Sequence, residues 1–398
     1  MQDYTQIFSD VASKLNKFVK KVVGNGGKVL EKFLKDFWYG MLSRQNILLT
    51  EISRGVETKT SLKKIVERFS KRLASFSVMD IIWNYHRVIK PEINDRTVIC
   101  FDDTDAIKPY GTEFEDLGTV RDGSTGDTEK GYGIVSAVAL SQHYKQPIPL
   151  YAHVFSNAEI GFVSSNVETE KALDYLRQSF GSVGIKVFDR GYDDCKLMRY
   201  LINHNEKFII RCKKNRDLLF NGKKVKITDI GKEPANEIQS YFQKGKKSCL
   251  LTYKKYSVVI SEMNLNLVVV TGFGKDPMFL ATNMNLDKEF ETTVAKVYML
   301  RWKIEEKFRF EKEIFHLENF RVRKLKAIRN IVLLTSMLCG FIAMLCEHQK
   351  HKLFKRLFRM SQTLKKKFGK NHLFFYSIAR AISDLFQAHR TRNYYSTA

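Results

Sequence analysis

Apolar residues recur at helical spacing from Tyr4 to about Lys90, as at Phe18, Val22 and Val23 or at Leu62, Ile65, Val66 and Phe69, and they predict an all-helical first block. Within it, Gln45–Ser53 and Thr60–Leu73 read as two short helices joined by a turn at Gly55, with Thr60 or Ser61 as N-cap. The pair would suit a helix-turn-helix whose second helix brings Lys63, Lys64, Arg68, Lys71 and Arg72, although a solvated basic face has the same pattern. The pattern changes at Arg96. Apolar runs at Thr97–Phe101, Ile134–Leu140, Pro149–Phe155, Ile185–Phe188 and Phe208–Arg211 predict strands, with helices at Val167–Phe180 and Asp194–His204. From about Lys213 to Asn285, short β-rich pieces (Val225–Thr228, Ser248–Tyr253, Ser257–Ser261, Leu267–Thr271, Phe279–Thr282) alternate with Gly, Lys and Asn and predict a separate insertion. Helical periodicity returns at Phe290 and continues to the C-terminus.

The uncharged stretch Ile331–Cys346 is shorter than the roughly 20 residues that span a bilayer, so it predicts a buried core helix rather than a membrane span. Composition narrows the class. With 44% hydrophobic and 28% charged residues, the chain is neither a disordered polycation nor a fibrous repeat, and its 398 residues suggest two or three domains of about 150 residues each. The six cysteines are scattered without a C-x-x-C pair, which argues against a disulfide scaffold or structural zinc. Without an apolar leader region, a reducing cytoplasm is the expected location. A net charge of +24 implies an anionic partner, leaving nucleic acid, membrane surface and acidic protein open.

Chemistry concentrates in three places. Tyr298, Arg301, Glu305 and Lys312 are spaced so that, at about 100° per residue, all four share one helix face, beside an apolar stripe of Val297, Leu300, Ile304, Phe308 and Phe315. One carboxylate flanked by two cations and a phenol suits a metal ligand surrounded by phosphate contacts, although Arg301 and Glu305 could equally be a surface ion pair. Asp103 closes the first predicted strand and Asp189 a later one, just before Gly191. Converging carboxylates usually share divalent metal, and such sites perform phosphodiester chemistry; the plain alternative is that Asp189 and Asp193 start a turn and cap a helix. Gly123–Thr128 lacks the ending of a nucleotide-binding loop and should simply join two strands, and His143, His153, His204 and His316 are isolated. Trp302 could stack on a base or pack into the core.

The spacing Y-x2-R-x3-E-x6-K at Tyr298, Arg301, Glu305 and Lys312 resembles the signature of insertion-sequence transposases of the insertion sequence four group, DDE enzymes with a ribonuclease-H-like catalytic fold. Phe101-Asp-Asp-Thr104 is similar to that family's first-Asp strand and Val187-Phe-Asp-Arg-Gly-Tyr192 to its second-Asp motif. The resemblance implies an α/β fold in which a ribonuclease-H-like mixed sheet with flanking helices spans residues 93–212 and 286–346. The remaining parts would be an all-helical DNA-binding domain at 1–92, a β-rich insertion at 213–285 and a basic helical tail at 347–398. It further implies that Asp103, Asp189 and Glu305 are catalytic and hold two Mg2+ ions, for which Mn2+ can substitute. Asp102 is the alternative first ligand, since its side chain lies on the opposite pleat. Tyr298, Arg301, Lys312 and Arg190 would contact DNA. The implied partners are double-stranded DNA, as terminal inverted repeats and target, and a second copy of the chain in the DNA complex; no membrane is implied. An inactive nucleic-acid-binding derivative and a structure-selective nuclease are the competing functions.

Overall fold

The predicted helical block forms, in a computed structural model that describes residues 2–123, 125–244, 247–285, 290–347, 351–368 and 374–396. Its helices are α1 (Gln2–Val23), α2 (Gly27–Arg44), α3 (Leu49–Gly55), α4 (Leu62–Ser75) and α5 (Met79–Ile89). There follow β1 (Val98–Ile107), β2 (Gly118–Arg121), β3 (Thr128–Leu140), β4 (Pro147–Phe155), α6 (Ser165–Phe180), β5 (Ile185–Phe188), α7 (Cys195–Asn203) and β6 (Lys207–Arg211). The β-rich stretch contains β7 (Asp217–Phe220), β8 (Lys223–Lys226), the single turn α8 (Ile227–Ile230), β9 (Glu237–Lys244), β10 (Lys247–Ile260), β11 (Met263–Thr271) and β12 (Met278–Thr282). The chain ends in α9 (Phe290–Met299), α10 (Trp302–Ile314), α11 (Leu325–Glu347), α12 (Lys352–Phe368) and α13 (Phe374–Ser396).

Two compact units share these elements, one of residues 1–92, 103–164 and 306–398, the other of 93–102 and 165–305. In the first, the helical block and the C-terminal helices pack with the antiparallel strands β2, β3 and β4 and the second half of β1. Its centre is α11, which lies against β4, α4 and α13. The helix has 23 residues rather than the 16 of the predicted core, and length and composition alone would let it cross a membrane. Within this unit, however, 83% of its most apolar window is buried. Ile328, Leu334, Leu338 and Ile342 are fully buried, each contributing about 1.5–3 kcal/mol of transfer free energy. Gly340 is required at the closest approach. A Cβ there would sit 2.1 Å from the Tyr85 hydroxyl, which donates to the Pro149 carbonyl at 2.7 Å.

In the second unit the first half of β1 begins the sheet order β1-β5-β6-β12-β11-β10-β7-β8, with β9 also on β10. The pairs β1–β5 and β5–β6 are parallel and the remaining neighbours antiparallel. Helices α6 and α7 supply the connections on either side of β5.

Several sequence expectations change. β1 runs on to Ile107, so Asp102 and Asp103 are inside a strand rather than at its end. Ser248–Tyr253 and Ser257–Ser261, except its last residue, are parts of one strand, β10, because Lys254 pairs with Glu237 at 2.9 Å and the alternation continues through the two lysines. Residues 46–48 are not helical. The Asn46 side chain accepts the Leu48 backbone N–H at 2.9 Å, and α3 starts at Leu49. On α4, Lys63, Lys64 and Lys71 are exposed while Arg68 is bound to Asp36 at 2.7 Å. Gly123–Thr128 joins β2 to β3, as expected. Part of the basic tail, including Lys350, lies outside the described residues; α13 instead buries Ile378, Ile382 and Phe386 against α2, α1 and α11.

Candidate active site

The parallel register of the second unit arranges the strand-borne charges. Cys100 of β1 pairs with Val187 of β5, and Phe188 of β5 with Ile210 of β6. Continuing those registers brings Asp102, Asp189 and Arg211 level with one another on three adjacent strand paths, whose spacing is about 4.8 Å. Asp103 is one residue further on, so the pleat turns its side chain to the opposite face, and it belongs to the first unit. The Asp-Thr pattern favours Asp103; the register and contacts of the second unit gather Asp102.

Asp189 leaves β5 and caps a short 3-10 turn, where its carboxylate accepts the Gly191 N–H at 2.5 Å. Its neighbours divide the remaining acidic roles. Asp194 caps α7 by accepting from Lys196 N–H, and the fully buried Asp193 accepts from Lys213 N–H at 2.7 Å and from Arg216 Nη2 at 2.6 Å. Asp193 is therefore a structural acid that ties the start of α7 to the turn between β6 and β7. Arg190 is exposed.

The stretch carrying Tyr298, Arg301, Glu305 and Lys312 is not one uninterrupted helix, as its spacing predicts. Residues 300 and 301 form a tight junction held by i→i−3 bonds, Leu300 N–H to Val297 and Arg301 N–H to Tyr298, before α10 begins. Tyr298 therefore closes α9, Arg301 occupies the junction, and Glu305 and Lys312 lie on α10. From the junction, Arg301 donates through Nη1 to Asp102 Oδ2 at 2.7 Å and through Nη2 to Glu305 Oε1. Burial works against its charge, but Asp102, Tyr298, Glu305 and Asp189 together raise its pKa above the ordinary value. One guanidinium thus feels Asp102, Asp189 and Glu305 together. Burial chiefly raises the Tyr298 phenol above its usual range, against the pull of Arg301 and a hydrogen bond from Arg211.

Lys312, in the first unit, lies between Asp105 at 3.1 Å and Glu318 at 2.9 Å. Burial opposes its charge, and these two acids outweigh it, so its pKa is raised. Arg211, Asp105 and Glu318 are the contributors that sequence reasoning missed. The available signal for Arg211 was its position at a strand end, the same signal that picked out Asp189. Trp302 is half exposed rather than core, with Lys303 Nζ 4.4 Å above its ring. The six cysteines are free thiols.

Asp102, Asp189 and Glu305 offer carboxylate oxygens, the hard donor type that divalent cations such as Mg2+ take. Among the described residues no three acids, histidines or cysteines are close enough to ligate one ion; the arrangement here is the one Arg301 sets.

Comparison with known proteins gives one family. The profile described as Transposase DDE domain matches residues 94–339. No curated protein matches. Eight chains of solved structures do; one is a cryo-EM structure of a piggyBac transposase synaptic complex with hairpin DNA, at 10% identity and TM-score 0.46, covering 98% of this chain and 82% of that one.

Proposed function

This chain belongs to the transposase DDE domain family, and on that premise we propose that it is a DNA transposase of the insertion sequence four group. It would cleave at the ends of its element and join the freed 3′-hydroxyl to target DNA by a cut-and-paste route. The observation that carries this reading is the gathering of Asp102, Asp189 and Glu305 around Arg301. The side-by-side parallel β1, β5 and β6 support a ribonuclease-H-like core.

In this reading Asp102, rather than Asp103, is the first acid, and Asp102, Asp189 and Glu305 would hold Mg2+, with Mn2+ as a substitute. When bound, such a cation activates an attacking water or hydroxyl and stabilises the leaving oxygen. The protein's own groups position the strand. Arg301 presents a planar fork that suits phosphate as well as carboxylate, so it can exchange an acid for the DNA backbone without losing its charge pairing. Tyr298, kept protonated, is a hydrogen-bond donor. The exposed Arg190 would supply a further phosphate contact in the second unit, and Lys312 would contact DNA from the first. The helical block at 1–92 and the basic C-terminal helices would hold duplex DNA in the cytoplasm, with two copies of the chain bringing two terminal repeats together.

Purified protein, Mg2+ and a duplex carrying the element's terminal repeat test the reading. Nicked and strand-joined products are expected, with Asp102→Asn about 10^3-fold slower or worse and Asp103→Asn within about 10-fold of the unaltered chain. A dead Asp103→Asn beside an active Asp102→Asn would reverse the assignment of the first acid, and unchanged activity in Asp189→Asn would sink the whole reading.

A further inference from the structure

Tyr110, on the loop between β1 and β2, is 95% exposed, so its ring is open to a flat partner. It is nevertheless carried by a well-braced loop. Lys108, two residues earlier, donates to the Glu318 carbonyl and to the Phe320 carbonyl at 2.9 Å, with its ammonium 3.9 Å above the Phe320 ring. Gly111 N–H closes the turn onto Lys108 O at 3.0 Å. Beyond the turn, Glu115 N–H donates to Arg323 O at 3.0 Å and the Glu115 carboxylate accepts the Leu325 N–H at 2.7 Å, while Tyr132 O–H donates to Glu115 O at 2.5 Å. The loop 108–117 and the segment 318–325 are thus zipped together in the first unit. The segment adds Arg321 and Arg323, both exposed and neither in an ion pair among the described residues. Arg321 is near enough that its charge, after burial, helps push Lys108 down to about 8.

An open phenol ring offers a flat apolar face, and unpaired guanidinium groups on the segment bonded to its loop select an anion. A nucleotide offers a flat π-face and a phosphate together. We propose that Tyr110 stacks on an unpaired base of the DNA substrate while Arg321 and Arg323 take the adjoining phosphates. The exposed acids Glu113 and Asp116 on the same loop limit the contact to one or two nucleotides, since they would repel a longer backbone track. The proposal rests on the reading of the chain as a DNA-cleaving enzyme and adds a site outside its acids.

Fluorescence anisotropy of the full chain decides it, with a labelled blunt duplex and the same duplex carrying a short unpaired tail. Tyr110→Ala should weaken binding of the tailed DNA by about 5- to 100-fold and leave the blunt duplex within about 2-fold, whereas Tyr110→Phe retains tailed binding. Arg321→Ala and Arg323→Ala should each lower the slope of log K against log salt by about 0.7 on the tailed DNA. Equal affinity of Tyr110→Ala and the unaltered chain for both DNAs would overturn this contact alone. Failure of the unaltered chain to bind either DNA would overturn it together with the transposase reading.

Discussion

Two cation–acid pairs with the same i, i+4 spacing occur within eleven residues, and they do opposite things. Arg301–Glu305, in the second unit, joins a half-buried guanidinium to a carboxylate whose side chain is 54% exposed. Lys307–Glu311, in the first unit, is 1% exposed on both sides. There Lys307 Nζ lies 2.9 Å from Glu311 and 3.4 Å from Ser136 Oγ, and Ser336 Oγ donates to Glu311 at 2.8 Å. Each has the cation N-terminal to the acid, the weaker order for an isolated helix, so helix propensity explains neither. The buried pair satisfies its polar atoms locally and fixes α10 against β3 and α11. The exposed pair leaves an acid open to solvent and a fork that can change partners. Burial, not spacing, separates the pair locked inside the fold from the pair left open to solvent.

The comparison predicts where the largest losses fall. Glu305→Gln and Asp189→Asn should lower strand cleavage by about 10^3-fold or more, measured as nicked product from a terminal-repeat duplex. Lys307→Met should instead unfold the first unit more easily, by about 3–5 kcal/mol in a urea titration, because it leaves Glu311 buried and unpaired; the double change Lys307→Met with Glu311→Leu should recover most of it. A third buried polar group tests the same rule by pH. His86, bonded to the Leu150 carbonyl at 2.7 Å, is pushed down to about 4 by burial. Its unfolded form takes up a proton near pH 6.5 and its folded form does not until about pH 4, so the unfolded state gains protons as pH falls between these values. Stability should therefore drop by about 2–3 kcal/mol between pH 7 and 4.5, and His86→Gln should flatten that part of the curve in pH-dependent denaturation. The smallest effect returns to the first variant: Glu305→Gln should change unfolding free energy by less than about 1 kcal/mol. A large stability loss there would erase the distinction between the pairs.

The central strands and helices could be read from the sequence because their patterns were long and clean. β5 occupies the predicted residues 185–188, and α6 and α7 differ by a residue or two. β2, β7 and β9 escaped, being short or half exposed, with at most the three apolar residues Leu218–Phe220 in a row. The spacing of Tyr298, Arg301, Glu305 and Lys312 was legible, but its geometry was not: the junction at residues 300–301 comes from local i→i−3 bonding that a helical wheel does not contain. Likewise Asp102 and Asp103 are distinguishable only after β1 is known to be in parallel register with β5.

The position of α11 also bears on how the chain is made. Two of its partners, β4 and α4, precede it in the sequence and will already have left the ribosome when its uncharged residues emerge. An apolar segment that could otherwise be drawn into a lipid or chaperone surface thus has prepared neighbours to receive it. Its third main partner among the described residues, α13, arrives later. For an interval of some thirty residues of synthesis, one flank of the most apolar helix waits for its cover.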